Sequence, residues 1–157
     1  MIQMHSPTGT TWTDPPVPQH RVCGEASAPY TARNLVTAAL GAEHPLHADA
    51  CVVASELVTN AVRHSRSGIG GRIGLTIARL GAEGCRIDVL DDGPLHTAPT
   101  SPAPRRPTLH EASGRGLLIV AALASEWGTV TRPTGQRLVW ARLGAVADGA
   151  SDASPGD

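Results

Sequence analysis

Three short stretches of this chain combine residue types and spacings that can do chemistry. The first is Glu56-x-x-x-Asn60, set in a segment whose apolar residues Val53, Ala54, Leu57, Val58, Ala61 and Val62 share one arc of a helix. A carboxylate and an amide four residues apart stack at the border of that arc, where they can face a cleft. The amide oxygen of Asn60 suits a hard cation such as Mg²⁺, whose shell phosphates and water complete, and Glu56 can polarise a hydroxyl. The pair is equally compatible with a solvated i,i+4 contact. The second stretch is Asp91-Asp92-Gly93, ending an apolar run. An acid there can accept a hydrogen bond from an amino group, and Gly93 admits close approach to the backbone. The same residues also make an ordinary turn. The third is Ser113-Gly114-Arg115-Gly116, ahead of an apolar helix. Open amides, the positive end of the helix dipole and the Arg115 charge form a phosphate cradle, or simply a capped helix with a flexible approach.

The elements that must position these groups follow from patterning. Pro29 suits a first helical turn, and the spacing predicts helices over Tyr30–Ala42 and His47–His64, with Pro45 between them. Ile73, Leu75 and Ile77 alternate within a strand over 70–80, and Cys85, Ile87 and Val89 within a second that opens at Gly84. The turn at 81–84 makes the two an antiparallel hairpin. A proline-rich stretch, 93–112, precedes a helix from Gly114 to Ser125 capped by Ser113, and strands over Trp127–Arg132 and Arg137–Leu143 close the core. The expected class is α+β: a two-layer sandwich, its mixed, mostly antiparallel sheet carrying helices on one face. Residues 1–19 read as a flexible arm, 20–143 as the domain and 144–157 as a disordered tail.

Composition narrows the chemistry. The 157 residues suffice for one core, and the thirteen basic residues are all arginine. Without lysine there is no P-loop of the G-x-x-x-x-G-K-[ST] type and no Schiff base. Phosphate must then be met by backbone amides, arginine and a metal. A net charge of -1 and an aromatic content of 3%, with no Phe, argue against nucleic-acid binding. Three dispersed cysteines read as reduced thiols in a cytoplasmic protein. The longest apolar run, Leu117–Ala124, is far too short for a membrane span.

Taken in order, the three stretches resemble a known family. Glu56-Leu57-Val58-Thr59-Asn60-Ala61-Val62-Arg63-His64-Ser65 is similar to the N-box of the anti-sigma-factor kinase-like ATP-binding proteins, small members of the histidine-kinase-type (GHKL, Bergerat-fold) ATPases. Val89 to Pro94 resembles their first glycine box, Gly114 to Val120 their second, and Trp127-Gly128 through Val139-Trp140 their ending. The resemblance covers about residues 20–143. It implies ATP and Mg²⁺ as cofactors, with Asn60 ligating the metal and Glu56 as the general base. It further implies Asp91 accepting the adenine amino group, Gly93 making room for the ring, Gly114 and Gly116 beneath the phosphates, and residues 94–112 as a lid. The implied activity is transfer of the γ-phosphate to a serine or threonine of an anti-anti-sigma partner, a switch that frees a sigma factor, by a homodimer. Three positions depart from the pattern: Leu95 replaces a second glycine, Ala112 a basic residue, and Leu138 the adenine-supporting threonine. Arg115 is the candidate for the missing charge. The alternative reading is an ATP-gated regulator that sequesters its partner without efficient transfer; a relative that kept only the fold is a third.

Other groups read as structural. His44, His47 and Cys51 have metal-like spacing, but His47 and Cys51 project to the apolar side of their helix. His64 suits a helix C-terminus. Trp127 and Trp140 are expected as core anchors, and Arg105 and Arg106 as a solvated pair.

Overall fold

Period-two and helical patterning resolve into two layers. The computed structural model describes residues 18–68, 70–95 and 115–145. In order these form β1 (His20–Cys23), α1 (Ala28–Leu40), α2 (His47–His64), a 3-10 turn at Arg66–Gly68, β2 (Arg72–Leu80), β3 (Gly84–Asp91), α3 (Gly116–Leu123), β4 (Glu126–Thr131) and β5 (Arg137–Leu143). The sheet order is β1-β2-β3-β5-β4. The expected α+β sandwich with its mostly antiparallel sheet is borne out, and among the described residues every strand pairing is antiparallel. β4 does run in the same direction as β3, but β5 lies between them.

One face of the sheet carries the helices. Ile73, Leu75 and Ile77 of β2, Ile87 and Val89 of β3, and Val139 and Ala141 of β5 are buried with Val36 of α1 and Val53, Leu57 and Val58 of α2. Each fully buried branched side chain contributes about 1.5–3 kcal/mol, and a core without Phe is assembled from many of them. The arc read on α2 is the buried one; only Val62 is partly exposed.

Several boundaries move. α1 starts at Ala28, with Pro29 in its first turn, and stops at Leu40, where Gly41 adopts a φ of +83°. α3 begins at Gly116, with Arg115 as N-cap, rather than at Gly114. Ser113, Gly114, Ala112, Arg105 and Arg106 lie outside the described residues, as do 1–17, 146–157 and all of the expected lid except Pro94 and Leu95. The last residues of the expected arm are part of the fold. Gln19 donates its backbone N–H to Thr76 Oγ1 at 3.3 Å and accepts from the Ile77 amide at 3.3 Å, leading into β1.

Trp140 is corrected as well. It pairs in register with Asp88 and Gly128 on the sheet face away from the helices, where the Arg86 guanidinium sits 4.8 Å from its ring centroid. Trp127, by contrast, packs against the core as expected.

Candidate functional site

The polar border of α2 faces α3. Glu56, Thr59, Asn60, Arg63 and His64 line a cleft of about 240 Å³ whose opposite wall is Arg115, Gly116 and Ile119. Glu56 and Asn60 are half-buried, held by the apolar arc beneath them. α3 comes so close that a β-carbon on Gly116 would stand 2.6 Å from Glu56 Oε2. A side chain at 116 would therefore have to displace the Glu56 carboxylate. The first-turn amides of α3 carry no intrahelical bonds, by helix geometry, and lie beside this cleft.

Asp91 stands at the end of β3 and is 1% exposed. Its Oδ1 accepts from the Gly93 amide at 2.8 Å. Its Oδ2 accepts from Arg137 Nε at 3.2 Å and Nη2 at 2.9 Å. Desolvation pushes the Asp91 carboxyl above its ordinary value, and the Arg137 guanidinium and the Gly93 amide only partly offset this. Gly93 has a φ of +92°, and a side chain there would run into the Gly135 carbonyl of the β4–β5 turn. Its glycine is thus demanded first by the fold. Asp91 and Gly93 are not among the residues lining the cleft between α2 and α3.

A set of hydrogen bonds ties the two stretches together. After α2, Ser67 Oγ donates to Asp92 Oδ2 at 2.8 Å and accepts from the Asp92 amide at 2.9 Å. Arg66 donates its amide to the Gly93 carbonyl at 2.9 Å and its Nε to the Asp92 carbonyl at 3.1 Å. Leu95 donates its amide to the His64 carbonyl at 3.3 Å. The end of α2 and the end of β3 are therefore one unit.

The candidate residues thus fall in two places: a carboxylate, an amide and arginines around a cleft, and a buried acid beside a glycine turn. Against known proteins, the sequence model of the histidine kinase-like ATPase domain matches residues 25–142. The chain belongs to that family. No curated protein matches it.

A histidine kinase-like ATPase domain is an ATP-binding one, and the cleft carries groups whose chemistry suits phosphate and a hard cation. Asn60 offers a neutral oxygen suited to Mg²⁺, and Arg63, Arg115 and the α3 amides supply positive potential. Asp91, the expected adenine acceptor, is already engaged by protein groups. The residue responsible is Arg137, which the sequence reading missed. Leu138, expected at the adenine-supporting position, pairs in register with Leu90 and Val130, on the outer face. Arg137 is the β5 residue paired with Asp91. The antiparallel register of β3 and β5 carries this signal, and no spacing within one segment does. Arg63, which the sequence reading did not single out, also lines the cleft; its place seven residues after Glu56 and three after Asn60 puts it on their helix face.

The remaining candidates hold no ligand set in this ATPase domain. His47 Nε2 lies 2.8 Å from Thr37 Oγ1 and 3.7 Å from Cys51 Sγ, while His44 Nδ1 accepts from the Leu46 amide. Among the described residues no group of three or more His, Cys, Asp or Glu is placed to hold a metal. All three cysteines are free thiols, and burial pushes Cys85 up to about 11. No helix among the described residues is long and apolar enough to cross a membrane.

Proposed function

We propose that this ATPase domain is an ATP- and Mg²⁺-dependent protein serine/threonine kinase of a sigma-factor switch. Its substrate on this reading is a serine or threonine of an anti-anti-sigma protein, and it acts as a cytoplasmic homodimer. The observation that supports transfer is the Glu56 carboxylate, held against Gly116 on the cleft that Asn60 shares.

Asn60 would hold Mg²⁺, which when bound neutralises phosphate charge. Arg63 and Arg115 flank the phosphates, and Gly116 leaves room beneath them, with Gly114 preceding it. Asp91 accepts the adenine amino group beside Gly93. Glu56 takes the proton of the incoming hydroxyl as its oxygen bonds to the γ-phosphorus and the bond to ADP breaks. No residue of this chain is phosphorylated in the process.

A second reading is an ATP-gated regulator that sequesters its partner without efficient transfer; the engagement of Asp91 by Arg137 favours it. Incubation with γ-labelled ATP and a co-purified partner separates the two. Label on a partner serine or threonine, lost with Glu56→Ala while ATP binding persists, supports the kinase. Partner capture that responds to ATP without label supports the regulator.

A further inference from the structure

The expected base acceptor is buried in this structure, and one flexible side chain is bonded to it. Asp91 is 1% exposed, so no ligand reaches its carboxylate unless something moves. Two oxygens of a carboxylate offer about four lone-pair positions. Arg137 fills two on Oδ2 and the Gly93 amide fills one on Oδ1. The Gly93 amide is a fixed backbone group: its turn has a φ of +92°, abuts Gly135, and is bonded to Arg66. Asp92, on the other side, is fixed by Ser67. Arg137 is different. It reaches Asp91 from the neighbouring strand through a long flexible side chain that is 25% exposed. An arginine that points to solvent is well hydrated, so it has a stable place to go.

We propose that Arg137 is the gate of the base subsite: it covers Asp91 in the nucleotide-free protein and leaves Asp91 when a purine amino group arrives. This inference rests on the proposed role of Asp91 as the base acceptor. The gate makes affinity depend on the Arg137–Asp91 pair, because each binding event breaks a buried, charge-assisted contact. A ligand that lacks the base has no need to open it.

The test uses the wild-type protein with ¹⁵N-labelled arginine and follows the Arg137 Nε–H, which is hydrogen-bonded here. Saturating Mg·ATP is expected to abolish its protection from exchange, and Mg·tripolyphosphate to leave it intact. Calorimetry of Arg137→Thr, with Arg137→Gln as a milder second variant, is expected to show Mg·ATP bound about tenfold tighter and tripolyphosphate unchanged. Binding by a variant where wild type shows none also supports the gate. Wild-type binding with the Nε–H still protected, or variants that bind equally or more weakly, overturns the gate and leaves the ATP-binding reading standing. No Mg·ATP binding by wild type or either variant overturns both.

Discussion

Oε2 of Glu56 lies 2.6 Å from the position a β-carbon would take on Gly116. Two helices distant in sequence thus meet at a carboxylate, and the contact allows no methyl group. The obstruction is the far end of a flexible side chain, so Gly116→Ala is expected to fold, with Glu56 pushed aside. Phosphotransfer is expected to fall at least about tenfold, as a displaced catalytic group implies, while the thermal midpoint changes by less than about 4 °C. A labelled-transfer assay beside a melting curve checks both. Full transfer by the alanine variant would mean that the position of Glu56 does not matter to turnover.

Glu56→Gln keeps the shape of the side chain and removes its basicity. Mg·ATP affinity is expected to stay within about twofold, while transfer drops by about 10²–10⁴, the usual worth of a general base. Equal turnover would remove Glu56 from the chemistry.

Asn60→Ala is expected to weaken Mg·ATP binding about 10- to 100-fold and to leave binding of ATP in the presence of a chelator nearly unchanged. Calorimetry with and without magnesium separates the two. An equal loss in both conditions would assign Asn60 to the nucleotide rather than the metal.

Ser67 is fully buried and bonds both the side chain and the amide of Asp92. Ser67→Ala leaves those groups unsatisfied and is expected to cost about 1–3 kcal/mol in urea unfolding. A cost near zero would show that water replaces the hydroxyl.

The stability profile against pH has a defined sign at Asp88. Burial pushes its carboxyl above the ordinary 3.8, and the Arg86 guanidinium offsets this only in part. The folded chain therefore holds this proton where the unfolded chain has released it. The stabilising contribution is complete below 3.8 and is lost as the pH rises through the folded value. Asp91 shifts in the same direction, also chiefly through burial. Wild type is expected to gain stability relative to Asp88→Asn between about pH 7 and about pH 4. Wild type that loses stability relative to Asp88→Asn on acidification would contradict that sign.

Much of the architecture was legible because its patterns are long. α2 has an apolar arc over most of its 18 residues, and its bounds were read to the residue. The β2–β3 hairpin was readable from alternation and from Gly81, whose φ is +66°. β1 was not, because in four residues only Val22 is buried and no alternation can show. The grouping of Glu56, Asn60 and Gly116 was visible as separate motifs. Arg137 was invisible for a different reason: which side chain meets Asp91 is decided by how β5 slides against β3, and a slip of one residue would present Leu138 instead. Trp140 was misread for the same reason, since register decides which face an aromatic takes.

The strand order has a consequence for biosynthesis. Among the described strands β5 is the last to be made, yet it lies between β3 and β4. Until it emerges, β4 lacks its hydrogen-bonding neighbour, for among the described residues it pairs with β5 alone. A nascent chain stopped before Arg137 therefore lacks two strands of the sheet rather than one. It also lacks the guanidinium that compensates Asp91, so premature termination would yield a chain that fails as a whole rather than a shortened but competent one.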